Sequence, residues 1–337
     1  MKRWQFWLGM LISIIFVWLA LRGLKLDQVW HHIRHANYWW LLPSVLVYFL
    51  AVWARTWRWG YMLRPLKSVS TSRLFPVVVI GYMGNNIFPF RAGELLRSYV
   101  LRLREEIPIS ASIATVVVER VFDGLVMLAF VFIALPLTPI PGDENGSIQL
   151  MVTLASGAFF AAMIIFFIMA AFPDQLYRLA EWFGDRLLPQ KIAVPLLGFL
   201  QRFLSGLESL RSFRSVLMIF FTSVIIWLLE TVKYWFVMQA FDFQVSFFAL
   251  MLMNGVVNLA TTLPSAPGYI GTFDEPGIEV LKVYGVNGNV AAAYTLVLHV
   301  ALWLPITILG AYFMIQEGLS LSALSDAMKT NEKKAAV

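Results

Sequence analysis

Hydrophobic residues run in long blocks along this chain, with polar residues gathered between them. Six predominantly apolar stretches lie near 4–22, 39–63, 110–135, 150–172, 215–241 and 289–316. Each is long enough for a helix to cross a hydrocarbon core of about 30 Å. Two more apolar regions, near 74–98 and 246–284, are interrupted. The first contains Asn85-Asn86-Ile87-Phe88-Pro89-Phe90-Arg91-Ala92-Gly93-Glu94. The second runs from Asn258 through Leu263-Pro264-Ser265-Ala266-Pro267-Gly268-Tyr269-Ile270-Gly271-Thr272-Phe273-Asp274-Glu275. Proline and glycine free backbone groups that lipid cannot satisfy, so such breaks belong inside protein or beside water. Their matched positions in two halves point to a transport site between inverted repeats.

The predicted architecture is an all-α polytopic membrane protein with about six full spans and two re-entrant hairpins. One repeat covers 1–135. A loop at 136–149 follows, then a second repeat over 150–320 and a tail at 321–337. The other arrangement consistent with the pattern makes each broken stretch one kinked span. The N-terminal run from Trp4 to Leu21 reads as an uncleaved span. It is too long for a signal peptide, and Trp18 stands where a small residue precedes a cut. Two segments look amphipathic. Residues 24–38 put Leu26, Val29, Trp30 and Ile33 on one face and suit an interfacial helix. Residues 173–214 suit helices lying on the cytoplasmic surface.

Composition agrees with this reading. The 337 residues are 59% hydrophobic and 14% charged, against about 25% charged in soluble domains. The net charge of +6 is read as topology and headgroup contact rather than nucleic-acid binding. The loop 136–149 has no Lys or Arg and is expected outside, whereas 173–214 is rich in arginine and expected inside. Propagation places both termini in the cytoplasm, with the first hairpin entering from the cytoplasm and the second from outside. The chain has no cysteine, which excludes disulfides, thiol nucleophiles and thiolate metal sites. No nucleotide-binding or nucleophile-elbow motif occurs, so an ATP-driven pump and a serine hydrolase have no support. No cofactor and no metal is expected; His31 and His35 have ligand spacing but lack a third partner.

Charges within the apolar stretches are the candidate chemistry, because each costs about 2.5–3.5 kcal/mol at mid-bilayer. Arg91, Glu94 and Arg97 recur at i,i+3, which predicts Glu94 between two guanidiniums on a helix starting near Ala92. That helix start and the arginines would suit a phosphate. Glu119, Arg120 and Asp123 crowd five residues of the third span and are expected to face the hairpin, pairing with Arg91 or Arg97. Asn258, Thr272, Asp274 and Glu275 supply polar groups in the second break, with Glu275 opposite Glu94 and available to carry a proton or cap a helix. Asn85 and Asn86 do so in the first. Pro89, Gly93, Pro264, Pro267, Gly268 and Gly271 are expected to shape the turns. Arg55 and Arg58, among Trp53, Trp57 and Trp59, read as interfacial anchors or an entry site for headgroups. Glu230 and Lys233 read as a structural pair, and His299 as a hydrogen-bonded core histidine.

Several of these residues carry a resemblance. Residues 84–97, from Gly84-Asn85-Asn86 through Pro89-Phe90-Arg91-Ala92-Gly93-Glu94 to Arg97, look like the motif of the flippase-like family. That family includes the transmembrane region of lysylphosphatidylglycerol synthase and uncharacterised protein family 0104. Val118-Glu119-Arg120-Val121-Phe122-Asp123 is similar to its ER-x-x-D element. Residues 264–274 resemble its P-x-x-PG-x-IG-x-F-E element, with Asp274 where the family often has Glu. Residues 53–59 are similar to its arginine-rich end of the second span. The resemblance implies a multi-pass inner-membrane protein. In the bifunctional synthases the corresponding region is thought to move an aminoacylated phospholipid outward. A separate aminoacyltransferase domain has no room here, so a stand-alone member is implied. The expected function is lipid translocation rather than catalysis, with a phospholipid or polyprenyl-linked lipid as substrate. A homo-oligomer or a partner from envelope synthesis completes the expectation. Other classes consistent with the residues are a membrane enzyme acting on a lipid phosphate and a non-transporting scaffold.

Overall fold

A computed structural model describes residues 3–88, 91–138, 147–171 and 213–318, together with 178, 181 and 182. Pro89, the middle of the 136–149 loop, almost all of the 173–214 stretch and the 321–337 tail lie outside the described residues. Every regular element among the described residues is helical. The first half comprises α1 (Arg3–Leu21), α2 (Leu26–His35), α3 (Leu41–Leu63), α4 (Thr71–Ile87), α5 (Gly93–Glu105) and α6 (Ile109–Leu137). The second comprises α7 (Ser147–Ala171), α8 (Phe213–Met238), α9 (Phe247–Ala260), α10 (Asp274–Val283) and α11 (Gly288–Gln316).

Local chemistry sets the ends. Ser246 caps α9 by accepting from the Ala249 amide at 3.1 Å, and Asn287 caps α11 by accepting from Asn289 at 2.9 Å. Pro108 precedes α6, where its fixed φ starts a helix without losing a donor. The segment from 24 to 38 forms α2, which turns 84° away from α1. Only part of its expected apolar face is covered. Val29 and Ile33 pack inward, whereas Leu26 and Trp30 are exposed. The reason is angular: an apolar stripe wider than the contact leaves its edge residues facing out.

Among the described residues three helices, namely Tyr38–Leu63 with its leading turn, Arg214–Met238 and Gly288–Gln316, are long and apolar enough to cross a membrane alone. The bent α1–α2 pair passes the same test jointly. Helix α6 has 29 residues, but carries Glu119, Arg120 and Asp123 in its middle. The two broken stretches fold back on themselves. Helix α4 has 17 residues and α5 has 13; α9 has 14 and α10 has 10. At 1.5 Å per residue none exceeds about 26 Å. Gly81 and Gly84 of α4 lie against Arg97 and Gly93 of α5, so the pair runs antiparallel as a helical hairpin. A Cβ on Gly93 would stand 1.9 Å from the Gly81 carbonyl oxygen and 2.4 Å from the Asn85 nitrogen. Glycine is therefore obligatory where the hairpin closes.

The two halves are related by an internal exchange. Helix α4 packs on α11 as α9 packs on α6, and α5 meets α6 as α10 meets α11. The equivalent helices α3 and α8 pack on each other along most of their length. Ser44 reaches the Lys233 carbonyl, Arg58 reaches Ser223, and Tyr61 reaches Ser215, so these two run antiparallel. A two-fold axis that pairs antiparallel equivalents lies perpendicular to the helices. This is the geometry of an inverted repeat.

Candidate functional site

The interior of the bundle holds a continuous ionic network. Asp123 of α6 is its hub. Arg58 of α3 donates to Asp123 at 2.7 Å and to Glu119 at 2.9 Å. Arg55, one turn earlier, reaches Asp123 at 3.4 Å and Glu230 at 3.3 Å. Trp227 of α8 donates its indole N–H to Asp123 at 3.1 Å. Arg97 of α5 closes on Glu119 at 2.6 Å, and Lys233 pairs with Glu230. Arg120 forms an ion pair with Glu94 at 2.9 Å and lies 3.8 Å from Asp123. Asp123 and Arg58 are fully buried. Charges survive there because Glu119, Asp123 and Glu230 are each met by at least two cations, which offsets desolvation. Aromatic faces add to this: Arg55 lies 4.6 Å from the Trp227 ring centroid and Arg97 4.8 Å from that of Trp59.

This arrangement differs from the expected one in two respects. Arg55 and Arg58 are not interfacial anchors; their side chains turn into the bundle, where four carboxylate oxygens compete more strongly than distant water. Glu94 does not sit between Arg91 and Arg97. Helix α5 begins only at Gly93, and Arg91 precedes it with φ 52°. The left-handed backbone sends the Arg91 side chain away from its own helix, while Arg97 and Glu94 turn to α6. Of the two partners expected for the α6 carboxylates, Arg97 makes the contact and Arg91 does not.

Arg91 instead meets the second hairpin. It donates to the Thr261 carbonyl at 3.3 Å, and its guanidinium lies 5.8 Å from the Tyr269 ring centroid. Beside it, Asn86 donates to Thr307 at 2.8 Å and to the Trp303 carbonyl at 3.2 Å. The tips of the two hairpins thus touch. Between 261 and 273 the second break follows its proline and glycine. Pro267 opens a short 3₁₀ turn, and Gly268 and Gly271 take φ 73° and 83°, a region open to glycine without penalty. Ser13 of α1 accepts from the Ala266 amide at 2.8 Å, so α1 seals this turn from one side.

At the junction lies a cavity of about 140 Å³, room for several waters. Among the described residues Arg55, Arg91, Arg120 and Lys233 line it with a single carboxylate, Glu230. Asn85, Asn86, Asn258 and Thr261 add neutral polar groups, and Tyr48, Tyr82, Trp227, Tyr269 and Trp303 add aromatic walls. Other expected site residues lie off the cavity. Arg58, Arg97, Glu119 and Asp123 stand behind its wall, and Glu94 lines a small neighbouring crevice with Arg97 and Arg120. Thr272 donates to the Tyr269 carbonyl at 3.1 Å inside the turn. Glu275 is half-buried and does not line the cavity, because the helical turn after Asp274 rotates it outward.

Asp274 reaches the cavity through His299, whose Nδ1 lies 2.7 Å from Asp274 Oδ1. His299 is the hydrogen-bonded histidine expected from its isolation, yet it also lines the cavity. The pair Glu230–Lys233, read as structural, forms part of the wall. A tyrosine or tryptophan in an apolar stretch carries no signal separating a cavity from a core, so among the aromatic members only Tyr269 and Phe273, within the second break, are legible from the sequence. No group of three or more potential metal ligands occurs among the described residues. His35 Nδ1 lies 2.8 Å from the His31 carbonyl.

Known proteins resemble this chain in sequence. A UPF0104 membrane protein of Methanocaldococcus jannaschii is 23% identical over 91% of this chain and 93% of its own length. One from Methanothermobacter thermautotrophicus is 23% identical over 93% of each. A glycosyltransferase, AglD, of Haloferax volcanii is 26% identical over 69% of this chain but only 42% of its own length. Residues 6–310 match the family described as the lysylphosphatidylglycerol synthase TM region. A match over nearly the whole chain, through both hairpins and the ionic network, places this multi-pass membrane protein in that family.

Proposed function

We propose that the protein is a lipid translocase that passes an anionic headgroup across the inner membrane between its two hairpins while the acyl chains stay in lipid. The observation that carries this reading is the cavity at the hairpin tips, with four cationic side chains and one carboxylate on its wall among the described residues. Across the wider network six cations (Arg55, Arg58, Arg91, Arg97, Arg120, Lys233) face four carboxylates (Glu94, Glu119, Asp123, Glu230). An excess of positive charge in a medium of low dielectric attracts an anion. Arg91 is the natural ligand, because it has no carboxylate within ion-pair distance among the described residues, and its Nε lacks a hydrogen-bond partner there. Its fork suits a phosphate. In this reading both termini are cytoplasmic, and the hairpins enter from opposite faces.

Fluorescent phospholipid movement in proteoliposomes tests the reading. Headgroup-dependent loss of protected lipid is expected with the native chain and not with Arg91→Ala. Equal movement by the variant removes the headgroup role.

A membrane enzyme acting on a lipid phosphate is the second reading, favoured by the glycosyltransferase relative. The likeness leaves more than half of that protein outside it. Product formation in detergent, where there are no sides to cross, would favour the enzyme.

A further inference from the structure

His299 of α11 lies between two oxygens. Its Nδ1 is 2.7 Å from Asp274 Oδ1, and its Nε2 is 2.7 Å from the carbonyl oxygen of Gly268. A carbonyl only accepts, so Nε2 carries a hydrogen. An ionised carboxylate also only accepts, so Nδ1 either carries a second hydrogen or accepts one from a protonated Asp274. Both arrangements hold one proton more than a neutral imidazole beside a carboxylate, and both leave the pair with no net charge. The second oxygen of Asp274 accepts from the Gly271 amide at 2.9 Å. The pair therefore ties α11 to both positive-φ glycines of the second hairpin, and Phe273 covers the ring at 4.5 Å between centroids.

The charged and titratable groups around the same cavity are Arg55 and Tyr48 of α3, Tyr82 of α4, Arg91 at the first tip, Arg120 of α6, Glu230 and Lys233 of α8, and Tyr269 at the second tip. Guanidinium and phenol groups keep their protons at neutral pH. Glu230 is committed to Arg55 and Lys233. An imidazole–carboxylate pair is the kind of group that exchanges a proton in this range.

We propose that Asp274 and His299 form the coupling-proton site of the transport cycle, occupied by a proton while an anionic headgroup is held and emptied as it leaves. The proposal rests on the translocase reading and names its coupling ion. On release the proton passes to solvent through the cavity, and the pair changes from zero to one negative charge. A neutral imidazole has a single N–H, so one of the ring's two contacts is lost. The excess of positive charge in the network falls from two to one, which weakens the hold on the anion. Loss of the Gly268 contact frees the turn that carries Tyr269, whose ring lies beside the Arg91 guanidinium. Linkage makes the effect reciprocal: a bound proton tightens the headgroup, and a bound headgroup tightens the proton.

The test uses the full chain in proteoliposomes with phosphatidylglycerol carrying a fluorescent acyl chain, with and without an imposed pH difference. The gradient is expected to change the native rate several-fold and to leave His299→Gln and Asp274→Asn unaffected. Native movement indifferent to the gradient overturns the coupling role and leaves translocation standing. No movement under any condition overturns translocation itself, and the coupling role with it. The proton is read separately. Nitrogen NMR of histidine-labelled protein, with the His299 signal identified by its loss in His299→Gln, is expected to show two ring protons at neutral pH. Alternatively, infrared difference spectra show a carboxylic acid band absent from Asp274→Asn. A neutral ring beside an ionised Asp274 overturns the site.

Discussion

Arg91 and Tyr269 stand at the tips of opposite hairpins, both with left-handed backbones, at φ 52° and 61°, and the guanidinium of one lies 5.8 Å from the ring centroid of the other. Non-glycine residues in this region cost on the order of 1–3 kcal/mol each and persist only where their surroundings hold them. Here the strain aims two side chains into one cavity. Replacing Arg91 by Gly would relieve the backbone and remove the charge. The expected outcome is a protein at least as stable as the Arg91→Ala variant and equally inactive in lipid movement, measured by thermal unfolding and by the proteoliposome assay.

The ionic hub predicts a different behaviour. Removing Asp123 leaves Arg58 and Arg55 buried with fewer counter-charges, and breaking such pairs costs about 3–5 kcal/mol. Asp123→Ala is therefore expected to reduce folded yield and lower the unfolding temperature in detergent, whereas Arg91→Ala, at the cavity wall, changes stability little. Arg58→Lys is also expected to destabilise, because one ammonium cannot span Glu119 and Asp123 as the guanidinium does.

Glycine packing is open to a direct check. Gly93→Ala drives a methyl into the Gly81 carbonyl, so the first hairpin cannot close and folding is lost. Gly124→Ala meets nothing within 4 Å and is expected to be neutral or stabilising by up to about 1 kcal/mol, the helix preference of alanine over glycine. Unfolding midpoints of the two variants, measured side by side, decide this.

Contact between the first hairpin and α11 makes a mechanical prediction. The chain has no cysteine, so an introduced pair reacts alone. Asn86→Cys with Thr307→Cys places two thiols where the native side chains hydrogen bond at 2.8 Å. A short bifunctional thiol reagent is expected to link them and stop lipid movement. Full movement by the linked protein would show that the first hairpin need not part from α11.

Sidedness is testable on the same background. Single cysteines at Gly142 and Thr330 are expected to label from opposite faces of intact cells with an impermeant thiol reagent, Gly142 from outside. Labelling from the same face would reverse the loop assignment drawn from the arginine distribution.

Much of the fold was legible in the residues. The span expected at 289–316 is α11 at Gly288–Gln316, and the stretch expected to span at 4–22 is helical as α1 at Arg3–Leu21, though it is long and apolar enough to cross only together with α2. The breaks appear where Pro267, Gly268 and Gly271 announced them. The candidate site was legible only as a set of residues. Arg55, Asn85, Asn86, Arg91, Arg120 and Asn258 reach one cavity, whereas Arg58, Glu119 and Asp123 form the frame behind it. Local spacing put Glu94 with Arg91 and Arg97, but Arg120 takes Glu94 and Glu119 takes Arg97.

Helix position and interruption were therefore determined by the sequence alone, because hydrophobic length, proline geometry and glycine freedom act within a few residues of themselves. Partnership was decided by tertiary structure. A buried charge takes whichever counter-charge the packing of α3, α5, α6 and α8 brings within reach, and that distance is not encoded in separation along the chain. His299 and Asp274, 25 residues apart, come together only because α11 returns past the second break.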